Sequence, residues 1–593
     1  MWTSVSKRTQ AVLAALVVLV ASCWLYVGAG ELGLLRIDDP DYLELNPWIR
    51  GLTAANLQQV FTEPYFANYS PLHLVSYMLD YEINGLDPAV LHRSSVVWGA
   101  LVAVAVYLLA LQLTKRIALA LLAGLVFAAH PAHVEAIAWL SSRKDLVAGF
   151  FGVLSACAYL RYRERAGAKA WYVAALVLFG LGLAGKMSVV VLPGVYALHD
   201  VWVERRRWTG AILDKVPFAL MALGFHLAVA SAQPATGQEF TLLKFGRALA
   251  ESVWLVSGFG TYTLYRDWSL PDAGSPAGIA YVLAPFACAL ALVWAAWRLP
   301  RTWSRVPLVL LAWIVVALIP PQILSFVSPV TDRYLYLPTV GFAVLVAWGA
   351  GVLTTLRVPW GRWLAVTASI VCLAHYAHAT RSYLAEWADP RSVWYAAAQR
   401  SREPEAHSNL AIHYQDLSDQ LALRAASAIA PALNLIPYVR SDVSTHDALR
   451  SALQAQQYDQ AQVQAYIREL RALAMEPLDT ALANLGTRID PNLYFRKAKL
   501  LFDQSAYSEA KIWFQKALVE SDRVTYSERK QEMLVRTHHA LAVLAWREAD
   551  WEATVRAFET VVQLQQAAQR TWVDDAAGWL VKAKARRAEA SKR

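Results

Sequence analysis

Two adjacent aspartates, Asp38 and Asp39 in RIDDPDYLELNP, are of a residue type suited to proton transfer. A carboxylate held beside a hydroxyl can act as a general base, and neighbouring carboxylates raise one another's pKa by like-charge repulsion. Asp before Pro is also ordinary turn chemistry, so Asp38, Asp39 and Asp41 equally suit a capped turn that keeps the chain in water. A second set lies in HPAHVEAIAWLSSRKDLVAGFF, where His130, His133, Glu135, Arg143, Lys144 and Asp145 sit between two apolar runs. Ionisable groups at such a boundary are costly unless they serve a site or find partners. The His-Pro-x-His-x-Glu spacing offers metal-type donors, which leaves a divalent metal open. Arg143 and Lys144 can instead bind an anion, with Asp145 paired to one of them. In SPVTDRYLYLPTVGF, Asp332 and Arg333 open a helix. There a guanidinium can grip a phosphate bidentately, or sit at an interface within a tyrosine belt of Tyr334 and Tyr336. Lys186 joins the anion site or snorkels, and His73 and His92 stay unassigned.

The elements that position these groups follow from composition. Of 593 residues, 57% are hydrophobic and 17% charged, and the mean hydropathy is +0.32, too apolar for a soluble protein of this size. Apolar runs fill the chain to about Tyr383, after which charges, Gln and Ala dominate in helical patterns. An all-α polytopic membrane domain over 1–383 is therefore predicted, followed by a helical domain over 384–593. Spans are expected near 9–29, 94–113, 117–131, 145–161, 170–185, 187–202, 216–232, 276–298, 306–327, 334–355 and 361–380, about eleven in all. The stretch 243–266 reads as a helix lying at the interface. The first apolar run, of about 19 residues, is too long for a signal-peptide core and reads as an uncleaved anchor. Each of the four cysteines falls inside an apolar run, where a thiol packs rather than pairs.

A net charge of +9 raises nucleic acid as a partner, but the Lys and Arg cluster in short loops, as membrane orientation requires. Lys7 and Arg8, the pair at 115–116, and the basic stretches at 161–169, 204–208, 298–305 and 357–362 all fall on one side. This puts the Asp38 loop, HPAHVEA, TDRYLYLP and the tail together on the opposite face, the periplasm in a bacterial inner membrane. In the tail, Tyr494, Ala498, Leu501, Ala510, Phe514 and Ala517 occupy the small and large positions of a tetratricopeptide helix pair. Ala542, Ala545, Thr554, Phe558 and Val561 repeat the pattern, and an irregular α-solenoid is expected over about 417–490.

Taken in order, IDDPDYLELNPWIRGLTAANLQQVF, YFANYSPLHLVSYMLDYEINGLDPAVLHRSSVV, HPAHVEAIAWLSSRKDLVAGFF, GKMSVVVLPGVYALHD, DRYLYLPTVGF and the repeat tail resemble the transmembrane and tetratricopeptide repeat-containing O-mannosyltransferases and their bacterial relatives. The resemblance implies a C-type membrane glycosyltransferase fold and a polyprenyl-phosphate-linked sugar donor used on the outer face. It also implies an Asp of the first outer loop as base, here Asp38 or Asp39, with Asp39 preferred because Asp38 can cap the turn or pair with Arg36. By the same implication the HPAHVEA segment with Arg143 and Lys144 helps form the donor pocket, and Arg333 contacts phosphate. The acceptor is a protein or an envelope glycan hydroxyl, attacked with inversion, and the tail is available to protein partners. The rival reading is a non-catalytic membrane scaffold that assembles a complex through its tail. A transporter fits less well, since the ionisable residues gather on one side rather than along a midplane path.

Overall fold

The computed structural model describes residues 6–592 except 36, 67, 165–167, 233–239, 267–270, 299–303, 324–327, 329, 356–359, 427–445, 455–459, 487 and 525–526. The expected pairing of Asp38 with Arg36, parts of three basic loops and about a third of the expected solenoid at 417–490 lie outside the described residues. Among the described residues the chain is helical, with a single isolated bridge between Tyr65 and Asn68. It forms two compact units, Met1–Val393 and Trp394–Arg593.

The first unit contains α1 (Lys7–Leu25), α2 (Ala54–Thr62), α3 (Pro71–Asn84), α4 (Pro88–Thr114), α5 (Ile117–Ala129), α6 (Val134–Ala138), α7 (Arg143–Glu164), α8 (Lys169–Gly185), α9 (Leu192–Trp202), α10 (Trp208–Leu213), α11 (Val216–Ala232), α12 (Leu242–Val256), α13 (Pro276–Arg298), α14 (Val306–Ala317), α15 (Ile319–Ile323), α16 (Pro338–Thr355) and α17 (Gly361–Glu386). Three of these, α1, α4 and α16, are long and apolar enough to cross a membrane. A fourth candidate is the pair made by α5 and the segment through α6, bent by 53°, and five further apolar helices are shorter. Among the described residues, then, three or four candidates have the length and apolarity of a crossing, against about eleven expected. The breaks have local causes. Pro131 lacks the N–H that would continue α5, and the His130 side chain accepts from Ala132 N at 3.3 Å to start a new turn. A 3-10 turn at Met187–Val191 separates α8 from α9, and another at Asp332–Leu335 delays α16.

The layer between α1 and α4 is folded rather than loose. Pro40, Pro47, Pro71 and Pro88 each stand at the first position of a helical element, where the missing N–H is not needed. Tyr42, Leu43, Ile49, Leu74, Tyr77 and Met78 share a core there with Leu140 of the second segment. Burial of each such side chain stabilises by roughly 1.5–3 kcal/mol. Glycine sets how near the other elements come. A Cβ on Gly185 would stand 2.9 Å from Ala148 N, and one on Gly149 would stand 2.9 Å from the Tyr336 ring, so α7, α8 and the 331–337 strap touch where no side chain fits.

In the second unit, helices Pro491–Asp503 and Tyr507–Val519 bury Ala498, Leu501, Ala510 and Phe514 against one another and Leu544. Helices Ser527–Arg547 and Trp551–Ala568 repeat the arrangement with Ala542, Val555 and Phe558. The short turn within each pair passes through one residue at positive φ, Ser505 in the first and Ala549 in the second.

Candidate active site

Asp39 and Asp38 have opposite surroundings. Asp39 is fully buried. Its Oδ1 accepts from Ser141 N at 2.9 Å and from Ser141 Oγ at 2.5 Å, and its Oδ2 accepts from Leu35 N at 2.9 Å. These bonds tie the exit of α1 to the 3-10 turn Leu140–Ser142 just ahead of α7. Burial still outweighs the three donors and pushes the Asp39 carboxyl up to about 6. Asp38, one residue earlier, is partly exposed. Its carboxylate lies within electrostatic reach of Lys144 and Arg333. Both Asp39 oxygens are thus committed to backbone N–H groups and to Ser141, whereas Asp38 is the partly exposed member of the pair.

The cations come from three separate segments. Lys144, on the first turn of α7, places its Nζ 5.3 Å from the Tyr42 ring centre. Lys186, at the end of α8, bonds Asp145 at 2.6 and 2.8 Å and lies 5.2 Å from the Tyr334 ring centre. Arg333 donates from Nη1 to Glu135 Oε1 at 3.1 Å, and its guanidinium lies 4.5 Å from the Trp139 ring centre. Lys144, Lys186, Arg333 and Tyr334 are partly exposed, while Asp145, Glu135 and Trp139 behind them are buried. Charge is thus held from behind and presented in front, an arrangement that suits an anion.

Two expectations change. Asp145 pairs with Lys186 rather than with Arg143 or Lys144, because side chains adjacent on a helix do not face each other. Arg143 is wholly buried and does not reach the anion-facing surface. It pairs with Asp80 of α3, donates to Ser95 Oγ at 3.0 Å and to Leu91 O at 2.5 Å, and stacks 4.5 Å from the Tyr77 ring centre. It fastens α3 and α4 to α7, and each of its guanidinium nitrogens is engaged within the protein.

The HPAHVEA residues diverge. His130 Nε2 lies 3.0 Å from Val256 O, His133 Nε2 lies 2.7 Å from Thr339 Oγ1, and Glu135 turns to Arg333. Among the described residues no three His, Cys, Asp or Glu side chains converge as metal ligands. His130 belongs to a collar around the end of α12: Tyr262 Oη donates to Leu255 O at 2.6 Å and Tyr376 Oη to Ser257 O at 2.5 Å, while His375 Nε2 lies 3.2 Å from Gly258 O. Asp332, beside Arg333, is buried against Arg266 Nη2 at 2.6 Å, Tyr383 Oη at 3.0 Å and Thr263 N at 3.1 Å. Asp80, Ser141, Trp139 and Arg266 carry no motif of their own, so sequence reasoning passed over them. A signal was available for Asp80 alone, as an acid on the apolar helix PLHLVSYMLDYEIN.

The described part of the first unit is thus helical and brings a partly exposed carboxylate within electrostatic reach of a lysine and an arginine. Residues 55–230 match the family described as dolichyl-phosphate-mannose-protein mannosyltransferase. Similar proteins include Protein O-mannosyl-transferase TMTC2 of Mus musculus, 31% identical over 25% of this chain and 18% of the relative. Protein O-mannosyl-transferase TMTC3 of Mus musculus is 26% identical over 48% of this chain and 35% of the relative. TMTC4 of Homo sapiens is 26% identical over 35% of this chain and 29% of the relative. Over these stretches the chain is similar to the TMTC-type protein O-mannosyl-transferases. The matched stretches span only 18% to 35% of these relatives' lengths. No solved structure matches the chain significantly.

Proposed function

We propose that the chain is a C-type membrane glycosyltransferase that moves a sugar from a polyprenyl-phosphate carrier to a hydroxyl of a protein or envelope glycan. Mannose is the first candidate sugar, because the relatives are named for it. The observation that carries the reading is the partly exposed Asp38 within electrostatic reach of Lys144 and Arg333. Asp38 takes the acceptor's proton as the oxygen attacks the anomeric carbon. Lys144, Lys186 and Arg333 stabilise the departing lipid phosphate, as preorganised cations do for developing charge. Attack opposite the leaving group inverts the anomeric centre, and no nucleotide takes part.

On this reading the other expected residues act from behind. Asp39, Arg143, Asp145 and Glu135 hold the loops or orient the cations, and His130 and His133 anchor the α5–α6 bend. About eleven crossings, counting the short helices, put the Asp38 loop and the tetratricopeptide-like tail on the outer face, the periplasm in a bacterial inner membrane. The tail would receive a protein acceptor or an assembly partner on its helical surface.

The test is transfer from a panel of polyprenyl-phosphate sugars to envelope extracts by the intact chain and by Asp38→Asn. Full activity of Asp38→Asn would overturn the base assignment. No transfer from any donor, with a tail that still captures partners, would favour the scaffold. A carboxy-terminal reporter active only outside the cytoplasm checks the orientation.

A further inference from the structure

The opposite end of α7 holds a second charged cluster that the transfer reaction does not use. Tyr159 lies sixteen residues beyond Arg143, about 24 Å along the helix. There Asp200 is fully buried. It accepts from Lys215 Nζ at 2.6 Å, Tyr159 Oη at 2.7 Å and Arg206 Nη1 at 2.9 Å, and Arg163 Nε lies 3.3 Å away. Arg206 also pairs with Asp214. Arg205 and Arg207 stand exposed beside this cluster. Arg163 and residues 200–215 together carry five cations against three carboxylates, a net positive charge.

Beside the cluster, α4, α7, α9 and α14 leave a cleft with apolar walls, lined by Leu109, Leu113, Leu160, Leu310 and His199. His199 is only 8% exposed, and its Nδ1 has no hydrogen-bond partner. Just past the arginines, α10 exposes Trp208, Ile212 and Leu213. Arginines followed by Trp and exposed aliphatics fit the plane where headgroups meet acyl chains.

We infer that the 200–215 cluster and the adjoining cleft form a binding site for an anionic glycerophospholipid. Its phosphate lies against Arg205 to Arg207, and a few methylenes of one acyl chain enter the mouth of the cleft. Charge complementarity selects an anionic headgroup, and the apolar cleft selects a lipid over free phosphate. The site is remote from Asp38 and stands whether or not the transfer reading does.

The test uses the full chain in detergent, offered phosphatidylcholine or phosphatidylglycerol, with retained lipid counted by native mass spectrometry. Phosphatidylglycerol should be retained in preference. The double variant Arg205→Gln with Arg207→Gln should weaken retention roughly tenfold or more, and Leu160→Trp, which narrows the cleft from its rim, should weaken it as well. Arg205→Lys with Arg207→Lys should restore most of it, which separates lost charge from a lost fold. Equal retention of both lipids, or undiminished retention in the double variant, would overturn the inference. So would displacement by inorganic phosphate alone, or a preference for polyprenyl phosphate over phosphatidylglycerol.

Discussion

The two ends of α7 handle charge in different ways. At the Asp200 end one buried carboxylate gathers three cations and a tyrosine around itself. At the Arg143 end the charges are spread, with Arg143 on Asp80, Lys186 on Asp145 and Arg333 on Glu135. Gathering charge on one acid fastens helices together. Distributing it lets each of the latter two pairs keep its buried acid fixed while the cation stays partly open. The second arrangement leaves groups available to a substrate.

The comparison can be broken most severely through Arg143. Arg143→Ala leaves Asp80 charged and buried, and removal of one partner of such a pair costs about 3–5 kcal/mol. Loss of monodisperse protein on size exclusion is expected, with Asp80→Leu combined with Arg143→Met recovering part of it. The next effect separates the aspartates. Asp38→Asn should lower kcat by about 100-fold or more while the melting temperature holds. Asp39→Asn should mainly lower stability, by about 1–3 kcal/mol for the mismatched buried donors.

Arg333→Met and Lys144→Met should raise KM for the lipid-linked donor, measured by steady-state transfer, more than they change the melting temperature. The smallest effect is on pH. The Asp39 carboxyl is raised to about 6 in the folded chain, above its unfolded value. The folded state therefore binds this proton more tightly. The stability that this proton brings is complete below about pH 4 and is lost as pH rises through about 6. Relative to Asp39→Asn, the native chain should lose stability over that window in thermal melts. A flat difference would show that the three donors offset burial entirely.

Much of the helical pattern was legible in the sequence, because apolar runs and helical periodicity persist over many residues. The repeat positions Ala498, Phe514, Ala542 and Phe558 are buried as their spacing suggests. What was not legible were the pairings. Asp38 and Asp39 are chemically identical neighbours, and only the fold gives Ser141 and Leu35 to one of them. Lys186 reaches Asp145 across 41 residues, a distance that no local rule spans. The His-Pro-x-His-x-Glu spacing suggested convergence, but Pro131 bends the chain and sends His130 and His133 to different helices. Hydropathy likewise does not register the 3-10 segment Met187–Val191, which takes the first turns of the span expected at 187–202.

The Asp39 bonds also set an order of events in synthesis. Ser141 is 102 residues downstream of the carboxylate it satisfies. At the usual pace of translation the acid waits for roughly 5–20 seconds before its partner exists. Throughout that interval the newly made loop carries an unmet acid and must stay in water. The α1 exit can therefore lock only after the second outer segment has arrived, and early truncation before Ser141 should leave residues 31–47 open to protease.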